Sequence, residues 1–131
     1  MASLTYLDTH ALAWLYAGEG SRFPSAAMKA IEEQDVLVSP VAVVELQYLI
    51  EIGRFKAPVD EVLGQLALDI GLQVCELPFM RVARHALAQD WTRDPFDRLI
   101  VSQAAVRDST LVTKDSLIHQ NYSGAVWSEL R

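Results

Sequence analysis

The sequence predicts a three-layer α/β/α sandwich with a central parallel sheet. Three observations lead to that class. Short apolar runs of strand length alternate along the chain with longer runs of helical periodicity. The length of 131 residues fits a single domain, 1–131, large enough to bury a real core. An apolar share of 51% beside 21% charged residues is that of a globular chain, far from the disordered range.

The elements follow in order. SLTYL, residues 3–7, is a β-like run that ends at Asp8, and the helical run THALAWLYAG closes at Gly18. After the polar turn GEGSRFP, the segment SAAMKAIEEQ carries Pro24 and Ser25 at its start, as helices often do. VLVSP, residues 36–40, reads as a short buried strand, and VAVVELQYLIEIG as a helix ended by Gly53. Pro58 opens the helix VDEVLGQLALDI, which stops at Gly71. LQVCELP, residues 72–78, is a strand and FMRVARHALAQ a helix. RDPFDRLIVSQAAVRD, residues 93–108, gives the next helix. TLVTK, residues 110–114, is a strand, and the tail holds one last apolar run, GAVW. The chain shows no repeat, linker or low-complexity segment.

Several classes are excluded early. No apolar run reaches the roughly 18 residues needed to span a bilayer. The start, MASLTYLDTHALAWL, lacks a basic n-region and a small-residue cleavage site, so no signal peptide is expected. Cys75 is the single cysteine and lies in an apolar run, which predicts a buried thiol rather than a disulfide. The expected location is therefore cytoplasmic, with no membrane partner. The net charge of −6 argues against general binding of phosphate backbones, which usually wants a basic face.

The carboxylates carry the chemistry. Ligands of a parallel sheet bind outside the carboxyl ends of its strands. Asp8 directly follows the first strand, Asp115 directly follows TLVTK, and Glu45 lies a turn into the helix after VLVSP. Asp97 joins them if its helix starts at the same edge. Capping is a simpler role for some of these acids: Asp8 suits the helix beginning at Thr9, and Asp115 the short turn SLI. Asp94 is a still better cap, with Pro95 at N1 and Asp97 at N3. Arg98 stands at i+4 from Asp94, where an ion pair is possible.

Glu45 resists a capping role. Its helical neighbours at −4, −3, +3, +4 and +7 are Val41, Ala42, Tyr48, Leu49 and Ile52, so it falls mid-stripe on an apolar face. An unpaired carboxylate buried there would cost several kcal/mol. Asp97 shows the same pattern, with Ile100, Val101 and Ala104 at +3, +4 and +7. Two acids from separate helices and two at strand ends match a shared site for a divalent metal. Mg²⁺ suits coordination by carboxylates and water.

The blocks YLDTHALAWL, VSPVAVVELQYLIEIGR, RDPFDRLIVSQA and LVTKD resemble, in order and spacing, the PIN-domain ribonucleases, most closely the VapC-type toxins of toxin–antitoxin pairs. The resemblance spans essentially the whole chain. It implies a Mg²⁺- or Mn²⁺-dependent endoribonuclease acting on RNA, a cognate antitoxin and a homodimer. It also implies that Asp8, Glu45, Asp97 and Asp115 are the catalytic metal ligands, with no departure at those four positions. One or two ions held there would polarise a phosphodiester without a histidine or lysine base. Two Mg²⁺ would also balance the four negative charges, which weakens the objection from net charge.

Other residues carry weaker signals. Arg93, Arg98 and Lys114 suit either steering of the RNA backbone or pairing with nearby acids. His10, His85 and His119 lack metal-ligand spacing. Trp14, Trp91 and Trp127 fit packing better than base stacking. Thr113 suits either a bond to a metal-bound water or plain strand propensity. No phosphate loop is present. A haloacid-dehalogenase-like phosphatase needs an Asp where His10 stands, and a receiver domain needs one where VLVSP offers only Ser39. The surviving rival is a non-catalytic PIN-like module that binds RNA or protein, and the intact quartet speaks against it.

Overall fold

In the computed structural model, which describes residues 3–128, five short strands form one parallel sheet. They are Leu4–Leu7 (β1), Asp35–Val38 (β2), Gln73–Val74 (β3), Thr110–Val112 (β4) and Ala125–Val126 (β5), in the spatial order β3-β2-β1-β4-β5. Each adjacent pair is parallel, with Tyr6 opposite Leu37 on one side and Leu111 on the other. Strands covered by helices on both faces need apolar residues at successive positions rather than alternate ones. β1 meets this with Tyr6 and Leu7, both fully buried, and with buried Thr5, whose hydroxyl donates to Ala30 O at 3.1 Å.

Among the described residues, seven α-helices link the strands: Thr9–Tyr16 (α1), Ser25–Glu33 (α2), Pro40–Glu51 (α3), Val59–Ile70 (α4), Phe79–Ala86 (α5), Pro95–Ala105 (α6) and Ser116–Asn121 (α7). Their starts are set by local side chains. Asp8 accepts from Ala11 N, Ser39 from Val41 N, Asp94 from Phe96 N and Asp97 N, and Asp115 from Ile118 N. Each satisfies a donor that a helix start leaves open. Gly71 ends α4 in the left-handed region at φ 70°, a conformation glycine adopts without penalty. Because β1, β2 and β4 run the same way, Asp8, Ser39 and Asp115 emerge at one edge of the sheet. Among the described residues, no helix is long and apolar enough to cross a membrane.

The structure departs from the sequence reading in four places. The 72–78 run keeps only two strand residues, although Cys75 N still donates to Val38 O at 2.9 Å. The helix after Pro78 ends at Ala86 rather than 89. There the Arg98 side chain donates to the carbonyls of Ala86 (2.9 Å), Leu87 (3.4 Å) and Thr92 (3.4 Å). The SLI turn is a six-residue helix, α7, anchored by buried Ile118. GAVW supplies a fifth strand, held by Leu111 N to Gly124 O at 2.9 Å and Thr113 N to Val126 O at 3.1 Å.

Gly124 is fixed by space. A Cβ there would meet the Ser109 carbonyl oxygen at 2.6 Å and the Tyr122 ring at 2.8 Å. Backbone on one side and a ring on the other leave little room to relax. We expect Gly124→Ala to lower stability by about 1–3 kcal/mol, the usual cost of overpacking. A denaturant midpoint equal to that of the parent chain would contradict this close approach.

Candidate active site

Asp8 stands one residue beyond β1 and is 9% exposed. Burial is the largest influence on its carboxyl and raises its pKa. A hydrogen bond from the Thr113 hydroxyl and one from Ala11 N (2.9 Å) oppose that shift, and the charge of Asp115 adds to it. Thr113 Oγ1 also accepts from Asp115 N at 3.1 Å. One buried hydroxyl therefore joins the acids that close β1 and follow β4. Asp115 itself is exposed and caps α7 through Ile118 N at 3.0 Å.

Glu45 is half-buried, which corrects the sequence reading of a carboxylate enclosed by an apolar stripe. Ala42 and Leu49 are buried, but Tyr48 and Ile52 are 49% and 47% exposed. The stripe thus straddles the packed face and the surface, with Glu45 on the boundary. Its Oε1 accepts from Thr9 Oγ1 at 2.5 Å. Burial raises its pKa, the Thr9 bond and His10 lower it, and Asp94 and Asp8 raise it again.

Asp97 follows the sequence reading more closely. Ile100, Val101 and Ala104, on its side of α6, are buried. Among the described residues its carboxylate has no hydrogen-bond donor. Burial first, then the charges of Asp94, Asp115, Glu45 and Asp8, push its pKa up to about 7. The charges that act on it most strongly are all negative.

The four acids line one cavity of about 540 Å³, shared with Asp94, Thr9, His10, Trp14 and Lys114. Among the described residues, no three acidic, histidine or cysteine side chains are already arranged as a metal cage. The quartet surrounds an open space rather than closing on a point. Of the cations considered from sequence, Lys114 lines the cavity, whereas Arg98 is committed to the backbone beyond α5 and makes no pair with Asp94. Arg93 is exposed and donates to Asp90 O at 3.2 Å. His85 contacts Gln89, and His119 contacts Thr113 O at 2.7 Å. Trp14 packs with Phe23 and Trp127, ring centroids 6.2 and 5.8 Å away, while still lining the cavity.

Two supports escaped the sequence reading. Thr9 holds Glu45, and nothing but its place beside Asp8 pointed to it. Gln103 is fully buried in α6; its Oε1 accepts from Ser39 Oγ at 2.9 Å, and its Nε2 donates to Cys75 Sγ at 3.2 Å. The helices that carry Glu45 and Asp97 are tied by this bond, since Ser39 is the cap of α3. A glutamine among Ile100, Val101 and Ala104 was the available signal.

Comparison with known proteins places these residues in context. The family profile of the PIN domain matches residues 5–122. The chain is similar to Ribonuclease VapC22 of Mycobacterium tuberculosis, at 37% identity over 112 residues, 83% of this chain and 85% of that one. In fold it is similar to a chain of VapBC2 from Rickettsia felis, solved bound to a DNA fragment from their promoter. That match has a TM-score of 0.59 at 14% identity and covers 95% of this chain and 98% of the other.

The two aspartates in the first turn of α6 are separable by experiment. Folded Asp97 binds its proton more tightly than the unfolded chain does. Its contribution to stability is therefore full below about pH 4 and lost as pH rises through about 7. A rise of that size is worth about 4 kcal/mol for an enclosed group, and solvent screening at this half-buried site leaves about 1–2 kcal/mol. In chelator, Asp97→Asn should stabilise the protein by that amount at pH 8 and by little at pH 4. Asp94→Ala should cost about 0.5–2 kcal/mol through the lost cap. Denaturant midpoints at both pH values decide this; an Asp97→Asn protein no more stable at pH 8 than its parent would refute the repulsion.

Proposed function

Since the chain belongs to the PIN domain family, we propose that it is a metal-dependent endoribonuclease, the toxin of a toxin–antitoxin pair. One observation carries the reading most: four carboxylates from separate segments line one cavity, in which burial first and neighbouring acids second raise the pKa of Asp97 to about 7. A site with that charge invites a divalent cation. The similarity to a ribonuclease supports RNA as the substrate.

Mg²⁺ or Mn²⁺ fits the donor set, because these ions favour carboxylate oxygens and retain several waters. Retained waters suit an open quartet better than a dry cage would. When bound, such an ion polarises a phosphodiester and makes water a stronger acid. The protein's own contribution is placement. Asp8 is aimed by Ala11 N and Thr113, Glu45 by Thr9, and Asp115 by its cap to α7. Asp97, without a donor, is left available to a cation. Lys114 brings a positive charge to the same cavity, where it can meet a phosphate oxygen.

Two partners complete the proposal. Val44 and Tyr48 of α3 and Ile52, the residue that caps its C-terminus, repeat at i, i+4 and i+8 and are 60%, 49% and 47% exposed. A homodimer that buries this stripe would seat the interface on the helix that carries Glu45. A cognate antitoxin would neutralise the acidic cavity by inserting a basic side chain. Co-purification with the neighbouring gene's product tests that partner, and failure to associate would remove it. The rival binding module has no use for four acids around one cavity.

The activity has a direct assay. With millimolar Mn²⁺ the protein should cut a total RNA pool, and chelator should stop it. Asp8→Asn should slow cutting by about 100-fold or more, given the several kcal/mol that metal-borne charge stabilisation supplies. Cleavage that persists in chelator, or equal rates for Asp8→Asn and its parent, would overturn the assignment.

A further inference from the structure

A second hollow lies beside the acidic cavity and shares His10 and Trp14 with it. Its volume is about 360 Å³, room for one nucleobase with its sugar. Leu49 and Phe55 give it apolar surface, and two opposite charges, Glu19 and Arg54, complete the lining relevant here. Glu19 Oε1 accepts from Arg22 Nε at 2.6 Å on an exposed edge. Among the described residues the Arg54 guanidinium makes no ion pair or hydrogen bond.

This combination restricts what can fill the space. The occupant must offer acceptors to Arg54 and flat faces to the apolar lining, and donors to the Glu19 oxygen that Arg22 leaves open. A basic peptide side chain meets the like charges of Arg54 and of Arg22, whose guanidinium lies 5.1 Å from the Trp14 ring centroid. An aromatic peptide side chain fills the volume and leaves Arg54 unanswered. Among the bases, guanine alone pairs bidentately with both groups. Its N1–H and N2–H₂ form a donor pair for a carboxylate, and its O6 and N7 form the acceptor pair that arginine reads most often. Uracil has one N–H donor, and adenine and cytosine have a single amino group each. Stacking of the base on Phe55 adds affinity of a kind every base shares, so the charged pair must supply the choice.

We propose that this hollow is a guanine subsite for the nucleotide next to the scissile phosphate, with Arg54 and Glu19 as its specificity-determining residues. The placement rests on the ribonuclease reading above, because a phosphate at the quartet puts the adjoining base beside His10 and Trp14. The recognition itself does not need cleavage, which allows the two readings to fail separately.

Two measurements on the full chain test it. In chelator, Trp14 fluorescence should report GMP binding about tenfold tighter than AMP, CMP or UMP, the order expected of a bidentate base contact. Arg54→Lys keeps the charge without the fork and should lose that preference, as should Glu19→Gln. With Mn²⁺, mapped ends from a random RNA library should show guanine adjoining the cut, and Arg54→Lys should flatten that bias. Cutting without base preference would overturn the subsite and leave the ribonuclease reading standing. Selective GMP binding by a protein that never cuts RNA would support the subsite and sink the ribonuclease reading. Equal binding of all four nucleotides, or none at millimolar concentration, would overturn the subsite. So would a hollow shielded only by a co-expressed protein partner.

Discussion

The burial of like-charged carboxylates together at one edge of the sheet is the constraint to which the rest of this structure answers. Asp8 and Asp115 are delivered there by parallel strands, Glu45 and Asp97 by the helices packed on them. The sheet cannot spread to separate them. Thr5, Tyr6 and Leu7 of β1 and Leu111 and Val112 of β4 are buried, so widening the edge would open the core. The strain falls instead on Asp97, whose carboxyl is pushed up to about 7 by burial and by four acidic neighbours.

The same acids also build the scaffold that confines them. Asp8 spends one oxygen on the start of α1, Asp115 one on the start of α7, and Asp94 caps α6. A carboxylate has two oxygens, so a cap and a ligand are not competing roles for one side chain. Glu45 and Asp97 cap no helix, and of the two only Glu45 accepts a hydrogen bond among the described residues, from Thr9. Thr113, Thr9 and the Ser39–Gln103 bond then fix the geometry of their carriers from behind. Removal of these hydroxyls or of the Gln103 amide acts on the site through its supports.

Much of this was legible in the sequence, for reasons that also mark the limits. A short apolar run identifies β1 and period-3.6 runs identify α3 and α6, because burial writes itself into residue order. The acids at strand ends were readable because parallel strands share an edge. Glu45 was read as more enclosed than it is. An apolar stripe looks the same whether its neighbours are Leu49, which packs, or Tyr48 and Ile52, which face outward. The strand in GAVW and the helix α7 were too short for periodicity to declare them. Arg98 was read as a partner for Asp94 because helical spacing shows i+4 neighbours. It cannot show the α5 carbonyls that a turn of the chain brings nearer.

The central claim is that this cavity exists to hold a divalent cation, and direct counting of bound metal tests it most simply. Equilibrium titration of the protein with Mn²⁺, followed by the paramagnetic resonance of the free ion, gives both number and affinity. The account predicts one or two ions bound per chain, with binding weakened about tenfold or more when Asp97 becomes Asn, a loss typical for weakened metal coordination. A parent protein that leaves all Mn²⁺ free, or an Asp97→Asn protein that binds as tightly as the parent, would contradict it.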